Sequence, residues 1–371
     1  MPKAVVILPT YNERENIVPM LELLENVCGE IRAYSFSILV VDDSSPDGTA
    51  DAVREYQKTH KNVYVTSGPK RGLGKALLRG MRYAIDSLHA DVIAQMDADL
   101  SHDPKALPAF FEKLREGADF VVGSRYIPGG SIPKNWALHR KVYSVIGNSI
   151  VRFGLGLSKV HDWTGGYRLY VPKYVRMLER ELEQYSGYVF QIAFLHKSIL
   201  NGAHVGEVPI HFSDRRFGHS KIAPSEYIKN VLLYVGRERL NSLMTGSFGK
   251  FSVVGTIGFI VNTVILELFV AIGFHPVIGS AVGAEASIVS NFFLNNHWTF
   301  RARKIEGKRR TMKKFFQFNT TSLGALAIQA GTVAVGTYFV GVSSYRLFYV
   351  LGVGFGLIWN YTMYKNVIWK K

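Results

Sequence analysis

The sequence predicts an α/β domain built on a mainly parallel sheet, followed by a helical domain with four membrane spans. Three observations of the 371-residue sequence support this prediction. Apolar strands alternate with helical segments near the N-terminus, long apolar stretches fill the part after residue 244, and basic residues concentrate in that second part. The length also favours two domains, because a single core rarely organises so many residues.

Strand and helix patterns alternate through the N-terminal part of the chain. Each predicted strand is a continuous apolar run, which is typical of a parallel sheet covered on both faces. The predicted strands span 5–8, 37–41, 63–66 and 92–96, and the predicted helices span 13–27, 49–59 and 74–89. Ligands of such sheets bind at the carboxyl ends of the strands, so the polar residues that follow each strand are candidate site residues.

After Gly123 the pattern becomes irregular and rich in glycine and proline, which predicts long loops of functional importance. We place the α/β domain at residues 1–224. Residues 225–244 resume helical spacing, with basic residues among the apolar ones. Both a packed core helix and an amphipathic helix in the membrane interface fit this pattern. We assign the segment to the interface because a membrane domain follows directly.

Residues 245–371 contain four predicted spans, at about 250–274, 277–299, 315–340 and 346–368, each long enough for a hydrocarbon core of about 30 Å. This part holds 13 Lys and Arg against 3 Glu, which is +10 of the total net charge of +15. Eight of these cations lie between Arg301 and Lys314, in the loop that joins the second and third spans. The positive-inside rule therefore predicts that this loop, both termini and the α/β domain are cytosolic. Charges between spans favour anionic lipid as the partner over nucleic acid.

The strongest local signal is the acidic pair Asp97 and Asp99, which directly follows the predicted strand 92–96. Two carboxylates this close repel each other unless a cation lies between them. A divalent ion that bridges substrate phosphates, Mg²⁺ or Mn²⁺, would supply that cation. An isolated pair of this kind is more often a helix cap, and Asp103 followed by Pro104 does look like a cap.

Two further polar clusters follow neighbouring strands. Asp42 and Asp43 end the second strand, although the segment 44–48 after them is also typical of a simple turn. Tyr11 and Glu13 follow the first strand and offer an aromatic ring and a carboxylate suited to a nucleotide. Because parallel strands end at the same edge of a sheet, the three clusters should meet in one crevice. That convergence is far more specific than any single cluster.

These motifs together resemble family-two glycosyltransferases of GT-A fold, and within that family the dolichol-phosphate mannosyltransferases. The resemblance covers about residues 3–240. It is carried by Pro9-Thr10-Tyr11-Asn12-Glu13, Val41-Asp42-Asp43-Ser44, Gly72-Leu73-Gly74, Asp97-Ala98-Asp99-Leu100-Ser101-His102 and Gly123-Ser124-Arg125-Tyr126. Residues 245–370 resemble the GtrA-like family of four-span domains, most clearly at Asn295, Asn296, Trp298, Thr299 and Phe300.

The resemblance implies transfer of mannose from GDP-mannose to dolichyl or another polyprenyl phosphate, with inversion, at the cytosolic membrane face. It implies that Asp97, Asp99 and Arg125 are catalytic. Asp97, Asp99 and Ser101 would bind one Mg²⁺ or Mn²⁺, although many relatives have Gln in the place of Ser101. The implied nucleotide-sugar site consists of Pro9, Tyr11, Glu13, Val41, Asp43, Asp97, Ala98, Asp99, Ser101, Arg125, Arg215 and Lys221.

The acceptor phosphate is assigned by the same resemblance to Arg125, Arg140 and Ser144. Arginine suits this task, because its guanidinium makes bidentate contacts with phosphate oxygens. The segment 162–167 resembles the glycine-containing acceptor loop of the family. A phosphate monoester, whose second pKa is about 6, is already largely anionic near neutral pH, so the reaction needs no dedicated general base.

Other functions remain as alternatives. A polyprenyl-phosphate glucosyltransferase that uses UDP-glucose would share fold and mechanism, and no residue separates guanine from uracil on first principles. A lipid-linked sugar flippase with a regulatory nucleotide-binding domain explains the spans, but an intact acidic pair and arginine set argue against pure binding. A processive polysaccharide synthase is disfavoured by the lack of a Gln-x-x-Arg-Trp motif, and a nicotinamide dehydrogenase by the lack of a glycine motif after the first strand.

Besides its substrates, the protein is expected to contact membrane lipid. We expect no nucleic-acid partner and no obligate protein partner. Cys28 is the only cysteine, so the chain forms no intrachain disulfide, which fits a reducing cytosolic location for the α/β domain.

Overall fold

The computed structural model describes residues 1–214 and 224–370. The chain divides into two units, Met1–Glu238 and Arg239–Lys371. The first unit is an α/β domain with a seven-stranded sheet, and the second consists of helices.

The sheet of the first unit is mainly parallel, as predicted. Its strands are β1 (Lys3–Thr10), β2 (Ser35–Asp42), β3 (Val63–Ser67), β4 (Val92–Gln95), β5 (Phe120–Ser124), β6 (Arg168–Tyr170) and β7 (Val205–Pro209). They pair in the order β3-β2-β1-β4-β6-β5-β7, and only the pairs that include β6 are antiparallel. The carboxyl ends of β1, β2, β4 and β5 therefore lie at one edge of the sheet.

Helices cover both faces of this sheet. They are α1 (Arg14–Glu30), α2 (Thr49–Tyr56), α3 (Leu73–Asp86), α4 (Leu107–Arg115), α5 (Leu138–Gly154), α6 (Lys173–Leu182), α7 (Gly187–Leu200) and α8 (Pro224–Thr245). Successive residues of β1 enter two different cores: Val5 and Ile7 pack on one face, and Val6 and Leu8 on the other. Burial on both faces explains why the strand reads as a continuous apolar run.

The region after Gly123 contains more regular structure than the sequence predicts. It includes α5, α6 and α7, where the sequence indicated long loops. The interpretation as loops is wrong for α5 because the glycine and proline clusters at 128–133 and 165–166 lie outside this helix. The apolar residues of α5 do recur at helical spacing, but they form an exposed face that includes Leu138, Ile146 and Phe153.

The predicted helix at 225–244 is present as α8. The two alternatives for this segment were a packed core helix and an amphipathic helix in the membrane interface. Val231, Tyr234 and Val235 are buried in the same core as α7. Leu233 and Leu240 are exposed. α8 is therefore partly a core helix, and its contact with a membrane interface stays a prediction.

The second unit contains the helices α9 (Ser247–Ala271), α10 (Pro276–Leu294), α11 (Lys308–Val340) and α12 (Tyr345–Met363). In the described part of the chain, three helices are long and apolar enough to cross a membrane: Ser247–Ala271, Lys308–Val340 and Leu347–Ile368. α9 and α10 pack closely, since a Cβ added to Gly258 would clash with the side chain of Asn291.

The basic loop is shorter than predicted, because α11 begins at Lys308. The sequence placed the start of this helix near residue 315, where the apolar stretch begins. Lysine and arginine are good helix formers, so the helix extends into the basic segment that hydropathy marks as a loop.

Candidate active site

The acidic pair lies directly after β4, at the edge of the sheet where β1, β2 and β5 also end. Ser101 holds Asp99 in place: its backbone N–H and its Oγ both donate to Asp99 Oδ1, at 3.1 and 2.6 Å. Leu100 between them has a φ of 63°, a left-handed conformation that is rare for leucine and marks a tight turn. Asp99 is buried, whereas the side chain of Asp97 is 35% exposed. Asp97 is therefore the carboxylate of the pair more accessible to a ligand.

His102 is a residue of this turn for which the sequence indicated no role. Its Nδ1 accepts a hydrogen bond from the backbone N–H of Asp97 at 3.1 Å. Its ring is buried against Tyr167 and Phe212. Burial lowers the pKa of His102, in spite of the nearby carboxylates, so the imidazole is neutral and can accept at Nδ1. His102 therefore fixes the backbone from which Asp97 projects.

Asp43 and Asp42 have different surroundings. Arg79 Nη2 donates to Asp43 Oδ1 at 2.8 Å and to the Asp42 carbonyl at 3.0 Å. Burial raises the pKa of Asp43, and the Arg79 guanidinium offsets part of that rise. The carboxylate of Asp42 instead accepts from Ser45 and Thr10, at distances of 2.5 to 3.1 Å. The turn interpretation thus applies to Asp42, and Asp43 is the candidate ligand-binding residue.

The other residues predicted to bind the nucleotide lie at or just after the ends of β1 and β2. Pro9 of β1 and Val41 of β2 are register partners. Lys70 Nζ lies 3.6 Å from the centroid of the Tyr11 ring, a cation–π contact that the sequence did not predict. Glu13 Oε2 accepts from Asn16 Nδ2 at 2.7 Å. The structure therefore brings the residues from the ends of β1 and β2 together.

Arg125 follows β5 and forms a buried ion pair with Asp162. Arg125 Nε and Nη2 donate to the two Asp162 oxygens at 2.7 and 2.9 Å, and Nη2 also donates to Thr164 Oγ1 at 2.8 Å. Although burial alone raises a carboxyl pKa, the Arg125 guanidinium outweighs it, and the pKa of Asp162 lies below its ordinary value. Asp162 is fully buried. It therefore orients the arginine and is a poor general base.

The other predicted acceptor residues lie on α5. Ser144 Oγ is 2.6 Å from the hydroxyl of Tyr126, the neighbour of Arg125 in sequence. Arg140 is exposed one turn earlier, with its guanidinium 3.8 Å from the Trp136 ring centroid and 3.7 Å from Asp214 Oδ1. Arg215 and Lys221, predicted to close over the donor, lie outside the described residues.

A divalent metal fits the chemistry of the acidic pair, which offers hard carboxylate oxygens. Across residues 1–214 and 224–370, no three His, Cys, Asp or Glu side chains come close enough to hold a metal by themselves. A Mg²⁺ or Mn²⁺ ion here would complete its coordination with substrate phosphate oxygens and water, as Mg²⁺ commonly does. Ser101 already donates to Asp99, so the structure gives it the role of orienting that carboxylate.

The chain is similar to known proteins over most of its length. Residues 5–178 match the model of glycosyl transferase family 2, and residues 250–369 match the GtrA/DPMS transmembrane domain. A polyprenol monophosphomannose synthase from Mycolicibacterium smegmatis is 40% identical over 228 residues, which cover 60% of this chain and 82% of that protein. A dolichol-phosphate mannosyltransferase from Pyrococcus furiosus is 28% identical over 373 residues, 99% of both chains.

The chain therefore belongs to glycosyl transferase family 2, and its C-terminal part is a GtrA/DPMS transmembrane domain. It is a membrane protein. Among solved structures, the mannosyltransferase PcManGT from Pyrobaculum calidifontis, in complex with GDP-Man and Mn²⁺, is 16% identical with a TM-score of 0.40, and the match covers 98% of this chain and 86% of that one.

Proposed function

We propose that this protein transfers mannose from GDP-mannose to dolichyl or another polyprenyl phosphate, with inversion and with one Mg²⁺ or Mn²⁺ bound. The observation that carries the proposal is the shared sheet edge at which Asp43, the acidic pair and Arg125 follow three parallel strands, β2, β4 and β5. Such an edge offers one ligand-binding crevice. The names of the two relatives in Pyrococcus and Mycolicibacterium support both the sugar and the class of acceptor.

The acceptor side of the site suits a phosphate with an apolar tail. Arg140 and Ser144 lie on α5, and Ser144 is linked through Tyr126 to the segment that carries Arg125. The same helix exposes Leu138, Ile146 and Phe153. Exposed apolar surface of this extent usually serves an interaction, and here it lies beside phosphate-binding side chains. A polyprenyl phosphate has both features that this helix would contact.

The expected reaction is a single in-line displacement. An oxygen of the acceptor phosphate attacks the anomeric carbon of mannose as the bond from that carbon to the β-phosphate oxygen of the donor breaks, so GDP leaves. A bound divalent ion would stabilise the charge that develops on the leaving diphosphate. Asp162 holds Arg125 beside the incoming phosphate, and the anionic acceptor needs no proton removed.

The orientation in the membrane is part of the proposal. Three described helices meet the length and hydropathy requirements of a membrane span. We infer a fourth span, because α10, between α9 and α11, has 19 mostly apolar residues. The cations between Arg301 and Lys314 favour a cytosolic position for this segment. Both termini and the α/β domain would then also be cytosolic, where nucleotide sugars are available.

Replacing Asp99 with alanine tests the role of the acidic pair. We expect mannosyl transfer to fall about 1,000-fold, the order of loss seen when one group that stabilises developing charge is removed. Activity of the purified wild-type protein should also vanish in EDTA and return with Mn²⁺ or Mg²⁺.

The matched control is Asp103→Ala, which removes a nearby exposed aspartate that only caps the turn Pro104–Ala106. This variant should keep wild-type turnover. Full activity of the wild-type protein in EDTA, or equal losses in both variants, would contradict the metal site.

A further inference from the structure

Arg168 is a fully buried arginine in the middle of the sheet. It belongs to β6, and its three guanidinium nitrogens donate to backbone carbonyls. Nε donates to Gly165 at 2.9 Å, Nη2 to Trp163 at 3.0 Å and Nη1 to Gln191 at 2.5 Å. Burial lowers the pKa of Arg168 to about 10, so it is still charged at neutral pH. A buried charge is costly, so its presence needs a reason beyond packing.

Two of the three bonds hold the segment 162–166, which contacts both halves of the candidate active site. At one end of this segment, Asp162 and Thr164 hold the Arg125 guanidinium. At the other end, Gly166 lies against the acidic pair, since a Cβ added there would be 3.2 Å from Asp97 Oδ1. A shift of this segment would therefore move Arg125 and crowd Asp97 together.

A second buried side chain supports the same segment from β4. Gln95 Nε2 donates to the Gly166 carbonyl at 3.2 Å and to Gln191 Oε1 at 3.0 Å. Gln95 also accepts from the Tyr170 hydroxyl at 2.9 Å, and it ends the strand that leads into Asp97. The segment is thus tied to β4, β6 and α7 by a network without solvent exposure, which fixes its position.

We propose that Arg168 is a positioning residue for the transfer reaction: it holds the segment 162–166 so that Asp162 keeps Arg125 oriented toward the acceptor phosphate. This inference rests on the proposed function for the role of Arg125. Arg168 itself touches no substrate, and its effect passes through Asp162.

The test compares Arg168→Lys, Asp162→Asn and the double variant in the full-length protein. Lysine keeps the charge but cannot reach three carbonyls in the same plane. We expect Arg168→Lys to lower kcat about 100-fold, the order of loss for a misplaced reacting group, with little change in the KM for GDP-mannose. Once Asp162 is replaced, the Arg125–Asp162 ion pair through which Arg168 is proposed to act is already lost. Arg168→Lys should therefore cause a clearly smaller loss in the Asp162→Asn background than in the wild-type protein.

Amide hydrogen exchange reports on the position of the segment 162–166 independently of turnover. The amides of Thr164 and Gly165 donate to Asp162 Oδ1, so their hydrogen exchange should accelerate in Arg168→Lys. Tyr174→Phe is the control, because Tyr174 lies on α6 and its hydroxyl donates to Asp119, at the opposite end of β5 from Arg125. It should leave both kcat and these exchange rates unchanged.

If Arg168→Lys fails to fold, Gln95→Met replaces it as the milder variant, since it removes the side-chain bond to the Gly166 carbonyl that supports the same segment. Equal losses in kcat with and without Asp162, or wild-type exchange at Thr164 and Gly165, would overturn the positioning role. Lack of mannosyl transfer by the wild-type protein would instead refute the proposed function. In that case, the exchange measurement still decides whether Arg168 holds the segment.

Discussion

At the scale of single residues, the charged groups of the candidate site are held by specific partners, and those of Asp43 and Arg125 come from distant segments. Asp43 is paired with Arg79, Arg125 with Asp162, and the backbone of Asp97 with His102. Each partner fixes the direction of a group that would otherwise sample many rotamers. Preset charges of this kind need little reorganisation during a reaction, which is how electrostatic catalysis gains most of its effect.

His196 makes the stability of the α/β domain depend on pH. Burial lowers its pKa to about 4, and its Nδ1 lies 2.8 Å from the Tyr234 hydroxyl of α8. An unfolded histidine has a pKa of about 6.5. Between these values the unfolded chain binds a proton that the folded chain does not. Stability should therefore fall as the pH drops from 6.5 to 4, by about 3 kcal/mol, and be insensitive to His196 above 6.5.

Chemical unfolding of the wild-type protein and of His196→Gln, at a series of pH values from 7 to 4, measures this effect. The glutamine variant should lose less stability than the wild-type protein over that range. An equal loss of stability between pH 7 and pH 4 in the two proteins would contradict the role of His196.

The residue types of the site were predictable from the sequence, but their partners were not. Strand-end positions and motif resemblance identified Asp43, Asp97, Asp99 and Arg125 as candidate residues. Arg79 lies 36 positions from Asp43, and Asp162 lies 37 positions from Arg125. No local pattern connects residues so far apart, because their contact arises only from the crossing of strands and helices.

At the scale of elements, α5 joins the polar site to an apolar surface. It carries Ser144 and Arg140, and its exposed side chains include Ile146 at 50% and Phe153 at 67% exposure. Asn148 ties the helix to the segment 162–166, since it accepts from the Trp163 N–H at 2.8 Å. α5 is therefore fixed to the segment that orients Arg125.

Replacing Ile146 and Phe153 with serine should weaken binding of the acceptor without affecting binding of the donor. Loss of apolar contact worth about 1.4 kcal/mol corresponds to about a tenfold higher KM for polyprenyl phosphate. The KM for GDP-mannose should not change. Steady-state kinetics in detergent with each substrate varied in turn measures the two values.

Met177→Ser serves as the control for this pair, because Met177 is 57% exposed on α6, away from the site. It should leave both KM values at the wild-type level. An unchanged acceptor KM in the α5 variant, or an equal rise in the control, would show that α5 does not contact the lipid.

Elements buried on both faces were the ones that the sequence predicted well. β1, β2 and β4 are continuous apolar runs because each packs into two cores, and such runs are visible without a structure. α5 was missed although its apolar residues recur at helical spacing, because the glycine- and proline-rich segments around it dominate the pattern after Gly123. The first turns of α11 were missed because they are basic, and hydropathy detects only the apolar part of a helix.

At the scale of the whole molecule, two units of different chemistry share one chain. The α/β unit carries the residues of the candidate site, and the helical unit carries most of the net positive charge and the long apolar helices. The contrast in composition made this division predictable from the sequence. In the proposed function the acceptor is itself in the membrane, and a polyprenyl phosphate meets that requirement.

The most direct test of this account is a transfer assay with the purified full-length protein and dolichyl phosphate, with GDP-mannose and UDP-glucose offered separately as donors. We expect a mannosyl lipid to form from GDP-mannose in the presence of Mg²⁺ or Mn²⁺, and no glucosyl lipid to form from UDP-glucose. A glucosyl product from UDP-glucose without a mannosyl product, or no lipid product from either donor, would contradict the account.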